Sequence, residues 1–360
     1  MMSEHTIEAA ALSTAVPSFA LDEVRALVGR LYGIDGSVKS LLGERDQNCR
    51  IETADGTRYV FKISNPSEPV AVVDFQIAAL EHMARVSPDL PVPRVVRTLG
   101  GQSRGSVVLG DSVALGDGVE TTVRMLTYLD GVQIKETPRT AGQRRAMGKV
   151  LAELNLALRD FSHPSATHDL LWNVSAAHRL TAKLDCILDA PRRALAESFM
   201  ARFKEHVLPR LGSVRAQVIH NDYHLYNVLV APDDHERIVG IIDFGDMLHA
   251  PLVGEVATAA AFHMTGSADP FEGAAQFVGA YHATLPLTEI EQEVVADLMA
   301  TRHLITALIS EWRAARYPEN RDYIMRHNPA AWEALSQMAD LSRNEARDLL
   351  LTEVRKGKSQ

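Results

Sequence analysis

Apolar residues recur at helical spacing between residues 21 and 31 (Leu21, Val24, Leu27, Val28, Leu31), which predicts a short amphipathic helix. Three strand-like runs follow, at 38–42, 49–53 and 58–63. The first two flank a polar loop, Gly43-Glu44-Arg45-Asp46-Gln47-Asn48, and Asp55-Gly56 supplies a tight hairpin turn ahead of the third. Beyond Pro66 and Pro69 the helical period returns over 70–86 and stops before Pro88, Pro91 and Pro93. Two more strands are predicted at 106–109 and 120–129, with Gly116-Asp117-Gly118 as the turn between them. Up to residue 127 the pattern describes a five-stranded antiparallel sheet with one inserted helix.

From Arg139 onward the pattern is mainly helical, with helix-type spacing over 141–161, 190–211, 288–316 and 330–351. It is broken once, by a short hairpin near 228–243. The expectation is an α+β fold: a loose tail over 1–15, a small β-rich lobe over 16–127, a linker over 128–138 and a larger helical lobe over 139–360.

A length of 360 residues exceeds what one core usually organises and agrees with two lobes. The formal net charge of −9 argues against a nucleic-acid partner, which calls for a basic patch, and leans toward a cationic or zwitterionic substrate. No apolar run reaches the length that spans a bilayer. The start, Met1-Met2-Ser3-Glu4-His5, lacks a basic region followed by an apolar stretch. Cys49 and Cys186 lie far apart and form no metal-ligand spacing. These features predict a cytoplasmic protein with no membrane partner. The sequence does not report the oligomeric state.

The chemistry concentrates in His220-Asn221-Asp222-Tyr223-His224-Leu225-Tyr226-Asn227 and, after the hairpin, Asp243-Phe244-Gly245-Asp246. Asn227 starts one strand and Asp243 ends the next, so antiparallel pairing returns one toward the other. Two oxygen-bearing side chains converging on a point suit a hard cation such as Mg2+. Asp222, on the loop just before, can accept a proton from an attacking hydroxyl. Each motif alone is also an ordinary polar turn. Together, in order and separated by one hairpin, they supply the parts phosphoryl transfer needs.

The β-rich lobe offers an independent check. Lys62, between Phe61 and Ile63 on the third strand, is placed to hold phosphates, and Glu81 on the following helix is its expected partner. Glu68 is the less attractive rival, since it lies in a proline-bounded loop. The bland alternatives are a solvated strand lysine and an exposed helix glutamate. His220 reads as a structural hydrogen-bonding residue of the loop. His163, His224 and His249 have no partner at zinc spacing.

With these residues in place, the chain resembles the aminoglycoside phosphotransferase and choline kinase branch of the protein-kinase-like fold. Within that branch it is similar to hydroxylysine kinase-like proteins. The residues that carry the likeness are 43–48, Ile242-Asp243-Phe244-Gly245-Asp246-Met247, Phe161-Ser162-His163-Pro164 and Tyr317-Pro318-Glu319-Asn320. The chain departs from protein kinases in having Asn221 where they have arginine, no Gly-x-Gly-x-x-Gly loop and no Ala-Pro-Glu segment.

The resemblance implies a two-lobe kinase with Asp222 as base, Asn227 and Asp243 holding Mg2+, and Lys62, oriented by Glu81, on the phosphates of ATP or GTP. It implies a nucleotide loop that includes Arg45, Asp46, Gln47 and Asn48, with Cys49 where an aromatic residue is expected. It also implies an adenine slot around Met125, Thr127, Tyr128 and Leu129, and Glu255 as a brace for the catalytic loop. For Glu255 the alternative is a charge favoured by the helix dipole.

The acceptor is expected to be a small-molecule hydroxyl compound. Asp246 touches it or caps a turn. Glu311 with Trp312 holds an amino group, or forms a mixed helix face with Trp312 in the core. Arg316 and Arg321 hold a carboxylate, or are surface charges. The leading expectation is a kinase of a hydroxylysine-like amino acid or amino alcohol. An aminoglycoside phosphotransferase and a nucleotide-binding pseudokinase are the rivals.

Overall fold

The computed structural model describes residues 16–43, 45–108, 118, 120–264 and 269–357. The expected tail over 1–15 lies outside them, as do Leu109 and most of the Gly116-Asp117-Gly118 turn. The chain divides into two compact units. One comprises Met1–Asp130 with the short returns His163–Leu170 and Gly240–Ile242; the other comprises Gly131–Ser162, Leu171–Val239 and Asp243–Gln360. The two returns were not foreseen, because eight and three residues carry no periodic pattern of their own.

In the first unit, helix α1 (Leu21–Tyr32) ends on Gly33, whose φ of 68° is the left-handed cap that glycine adopts without strain. Strands β1 (Ser37–Leu41), β2 (Gln47–Glu52) and β3 (Arg58–Ile63) form a meander, and helix α2 (Val70–Val86) follows. Three more strands, β4 (Val95–Val96), β5 (Gly105–Val108) and β6 (Glu120–Thr127), complete a six-stranded sheet. Its order is β1-β2-β3-β6-β4, with β5 also on β6. The sixth strand is β4, too short to show alternation in sequence. The register places Lys62 opposite Asn48 on one side and Arg124 on the other.

The inward face of this sheet buries Cys49, Ile51, Phe61, Ile63, Val123 and Met125 against Val24, Leu27, Val28 and Tyr32 of α1. Tyr32 meets Phe61 edge-on, with ring centroids 6.1 Å apart. Cys49 is thus a small core residue, which explains why no aromatic stands there.

The second unit opens with β7 (Val132–Gln133) and helix α3 (Ala141–Ala157), whose first turn is capped by the Thr140 hydroxyl. The expected helix over 190–211 is α4 (Ala190–Arg202) followed by a π turn and a 3-10 turn, Leu208–Ser213, where Pro209 has no N–H for the α-helical ladder and Gly212 disfavours it. Strands β8 (Ala216–Ile219), β9 (Val228–Val230) and β10 (Ile238–Ile241) then bracket the motif region, and β11 (Leu248–Pro251) pairs with β8.

Helices α5 (Leu252–Ala261), α6 (Pro270–Thr284) and α7 (Glu289–Arg316) complete the core. α7 starts with a capping box made by Thr288 and Glu291 and is buried along most of its length. The expected helix over 330–351 is two, α8 (Asn328–Ala339) and α9 (Arg343–Leu350), because Ser342 and Glu345 form a new capping box. Among the described residues no helix is long and apolar enough to cross a membrane.

Candidate active site

The loop after β8 is built on a buried carboxylate. Glu255, in the first turn of α5, is fully buried and accepts hydrogen bonds from the N–H groups of His220 (2.8 Å) and Asn221 (3.0 Å) through Oε1. These bonds hold Asn221 in a left-handed conformation, φ 66°, which asparagine tolerates better than most side chains. The His220 ring packs edge-on against Phe244 at 4.7 Å, and its Nδ1 accepts from Asp222 N–H at 3.3 Å. Tyr223 is buried below and donates its hydroxyl to Met147 O at 3.1 Å.

Burial pushes the Glu255 carboxyl up to about 7, against the opposing hydrogen bonds from the Asn221 and His220 N–H groups. Its Oε2 and the Asn155 Oδ1 each lack a hydrogen-bond partner among the described residues. A proton on Oε2 would let it donate and relieve that. A carboxyl whose folded pKa is raised is most stabilising when protonated. Stability therefore falls as pH rises from about 4.5, where the unfolded group titrates, to about 7, by an amount on the order of 3 kcal/mol.

Glu255→Gln keeps the Oε1 acceptor and carries the extra hydrogen permanently. Urea unfolding of this variant should show no such decline between pH 5 and pH 8 (about the window of the two pKa values), and turnover should persist. Glu255→Ala should lose both stability and turnover. A Gln variant with the same pH slope as the parent would contradict the assignment.

Asp222 is held from several sides. His224 Nδ1 accepts from Tyr226 N–H at 3.3 Å, so the ring proton sits on Nε2, which faces Asp222 Oδ1 at 3.2 Å. Arg302 Nη2, from the middle of α7, lies 3.7 Å from the same oxygen. Asn227 Nδ2 donates to Asp222 Oδ2 at 2.8 Å and to the Asp222 carbonyl at 3.0 Å. Burial pushes the Asp222 carboxyl up, but His224, Arg302 and His220 outweigh it and hold it well below the usual carboxylate range. Asp222 is therefore an anion, and an ionised carboxylate in such a place has the chemistry to accept a proton.

Both amide hydrogens of Asn227 are spent on Asp222, so the side chain's remaining function is its Oδ1 oxygen. The hairpin between β9 and β10 is closed by Ala231 N–H donating to Arg237 O at 3.0 Å. Asp243, just beyond it, has φ 63° and an exposed side chain. An amide oxygen and an exposed carboxylate are the donor chemistry a hard divalent cation accepts, so these residues fit Mg2+. Among the described residues no cluster of three or more His, Cys, Asp or Glu could hold a metal by side chains alone.

In the first unit Lys62 has a different partner from the one expected. Lys62 Nζ lies 3.4 Å from Asp46 Oδ2, and Arg124 Nη2 lies 3.7 Å from the same atom. Asp46 also accepts from Asn65 N–H at 3.1 Å. Burial pushes this carboxyl up, but Lys62 and Arg124 win and hold it low. Arg124 further donates to Ser64 Oγ and Gln76 Oε1. Glu68 joins the cluster: it accepts from Gln76 Nε2 at 2.9 Å, and burial and then Asp46 push its carboxyl up.

Glu81 is turned to another face of α2. It accepts from Ser103 Oγ at 2.7 Å and pairs with Arg97 at 2.8 Å, which corrects the expected Lys62–Glu81 pair. The residue of α2 that reaches the cluster is Gln76.

Other expectations on the nucleotide side also change. Gln47 exchanges two hydrogen bonds of 2.8 Å with the backbone of Phe19, and Asn48 donates to Leu42 O, so both side chains hold protein. The Arg45 carbonyl accepts from Asn65 Nδ2 at 3.4 Å. Met125 has its side chain in the core. The N–H groups of Thr127 and Tyr128 donate to Arg94 O and Arg58 O, so neither is left to read a base. The Tyr128 ring lies beside Arg50 and Arg58, at 5.9 and 5.5 Å.

On the acceptor side, the Trp312 face is occupied by Lys183 Nζ, 3.5 Å from the ring centroid, and Glu311 accepts from Asn328 Nδ2 at 3.3 Å. Neither is presented as an open amino-group site. Asp246 ends the 3-10 turn Phe244–Asp246. Arg316 pairs with Tyr317 and Arg321 opens a short helical turn. Sequence reasoning missed Arg302, Trp172 and the role of His224. The first two are remote in the chain and carry no motif. His224 was weighed only as a zinc ligand, although its place two residues after Asp222 was a usable signal.

A small antiparallel sheet unit carrying the half-buried Lys62 and a larger helical unit carrying the Asp222 loop and the Asp243 turn make up a protein-kinase-like fold. The chain belongs to the phosphotransferase enzyme family, whose model matches residues 37–290. It is 27% identical to the hydroxylysine kinase of Mus musculus over 358 residues, covering 94% of each chain. It is 28% identical to the homoserine kinase of Nitrobacter winogradskyi over 297 residues, covering 78% of this chain and 80% of the relative.

Among solved structures, an amicoumacin kinase in complex with AMP-PNP, Ca2+ and Ami superposes with a TM-score of 0.64 at 12% identity, covering 86% of this chain and 93% of that one. A microcompartment-associated aminopropanol kinase gives 0.63 at 15% identity, covering 89% and 98%. The protein is an enzyme, a phosphotransferase with an alcohol group as acceptor.

Proposed function

We propose that the enzyme transfers the γ-phosphoryl group of ATP or GTP to the hydroxyl of a hydroxylysine-like amino acid or amino alcohol, with magnesium, in the cytoplasm. The observation that carries this reading is the Asp222 carboxylate held ionised by His224, Arg302 and Asn227. In this reading Asp222 Oδ2 orients the acceptor hydroxyl and receives its proton as the new P–O bond forms. Lys62, steadied by Asp46, binds nucleotide phosphate oxygens. Asn227 Oδ1 and the Asp243 carboxylate hold the metal, which when bound neutralises phosphate charge.

Two observations favour an amino-acid acceptor over a polycationic aminoglycoside. The curated relatives, matched over most of their length, are named for hydroxylysine and homoserine. The groups gathered around Asp222 are Arg302, His224 and, beside Tyr226, His327, none of them acidic. A polycation would find no acidic partner among these three groups.

The test is a coupled turnover assay with ATP and with GTP against 5-hydroxylysine, homoserine, ethanolamine, choline and kanamycin. An amino acid or amino alcohol should exceed kanamycin in kcat/KM by about 10²-fold or more, the order of discrimination that pocket fit alone supplies. Kanamycin as the best acceptor would overturn the assignment of substrate class.

A further inference from the structure

Arg302 lies far along the chain from the catalytic loop, yet its guanidinium is buried beside Asp222. Two aromatic rings flank it: Trp172 at 4.9 Å and Phe262 at 5.7 Å from the guanidinium carbon. Phe262 also packs on His224, ring centroids 4.6 Å apart, so one aromatic side chain supports both groups that face Asp222 Oδ1. Oδ1 is thus committed to His224 and Arg302. Oδ2 receives one donor, from Asn227, and keeps a second lone pair.

We propose that Arg302, packed against Trp172 and Phe262, is a positioning residue that fixes Asp222 Oδ1 so that Oδ2 alone is presented to the acceptor hydroxyl. The inference rests on the assignment of Asp222 as the proton acceptor. In the transfer, the acceptor oxygen bonds to the γ-phosphorus and the bond from phosphorus to the nucleotide's bridging oxygen breaks. The hydroxyl proton passes to Oδ2, and the bond electrons leave with the nucleoside diphosphate. Arg302 stays charged throughout and touches neither reacting atom. A planar guanidinium suits this place because it stacks on aromatic faces while directing N–H groups in its own plane, which an ammonium does not do.

The experiment compares Arg302→Met, Arg302→Lys and Arg302→Ala with the parent, using ATP with 5-hydroxylysine or homoserine, and slow ATP hydrolysis by water where no acceptor is added. Arg302→Met should lower kcat by about 10²-fold, the effect of a misplaced catalytic group, with acceptor KM and nucleotide affinity nearly unchanged. Arg302→Lys should fall between. Millimolar guanidinium should restore part of the Arg302→Ala rate, and sodium chloride at equal strength should not.

A crystal structure of Arg302→Met should show the Asp222 carboxylate rotated away from His224. An unrotated carboxylate, or a kcat within about twofold of the parent in a folded Met variant, would overturn the proposal. If Asp222→Asn itself kept full turnover, the assignment of the base would be at fault instead.

Discussion

Asp222→Asn should abolish turnover while nucleotide binding survives. The substitution keeps the shape of the side chain and removes its charge and its capacity to take a proton. General bases of this kind contribute about 10²–10⁴-fold, so kcat should fall by at least that much. Nucleotide affinity, measured calorimetrically, should stay within about threefold, since uniform binding does not depend on a group used in the chemical step. The buried Arg302 loses its anion, so the variant should also melt earlier than the parent. Turnover within tenfold of the parent (about 1.4 kcal/mol of barrier) would remove Asp222 from the mechanism.

The largest effect on stability is expected at Asp46. Its carboxylate faces two cations, the half-buried Lys62 and the buried Arg124, whose side chains are 15% and 4% exposed. Asp46→Ala leaves both without the anion that holds them and should cost about 3–5 kcal/mol in urea unfolding, together with a loss of nucleotide affinity. Glu68 makes the result diagnostic. Burial and Asp46 push its carboxyl up. Without Asp46 it ionises more readily and replaces part of the lost charge. The double variant Asp46→Ala, Glu68→Gln should therefore be worse than the sum of the singles. Simple additivity would show that Glu68 is not coupled to the cluster. Glu81→Gln, by contrast, should leave nucleotide affinity unchanged, because Glu81 is engaged with Arg97 and Ser103.

The closeness of Asp222 and Asn227 was legible because it is local: both lie in one loop, and the Asn227 amide donates to Asp222. Lys62 was legible from its place on an apolar strand. Its partner was not, because the choice between Asp46, Glu68 and Glu81 depends on how the loop folds over the sheet and on the rotational phase of α2. Asp46 is carried inward by the pairing of β2 with β3, and Glu81 is carried outward by the helix.

The same limit explains Trp312, where an acidic neighbour suggested an amino-group site and the fold supplies Lys183 instead. Gln47 and Asn48 were read as nucleotide ligands, yet Gln47 is tied to the Phe19 backbone and Asn48 closes its own loop on Leu42. Helix boundaries failed where a local breaker or cap competed with a continuing apolar pattern, at Pro209 and Gly212 and again at Ser342. Arg302 could not be read at all: a lone arginine in a long buried helix looks the same whether it meets solvent or a catalytic carboxylate.

The measurement that tests the central claim most directly follows the label from γ-labelled ATP through the parent enzyme in the presence of 5-hydroxylysine, homoserine or ethanolamine, with Asp222→Asn alongside. The account predicts label in an O-phosphorylated acceptor with the parent and none with the variant. Label found only in inorganic phosphate for every acceptor, or transferred equally by the variant, would contradict it.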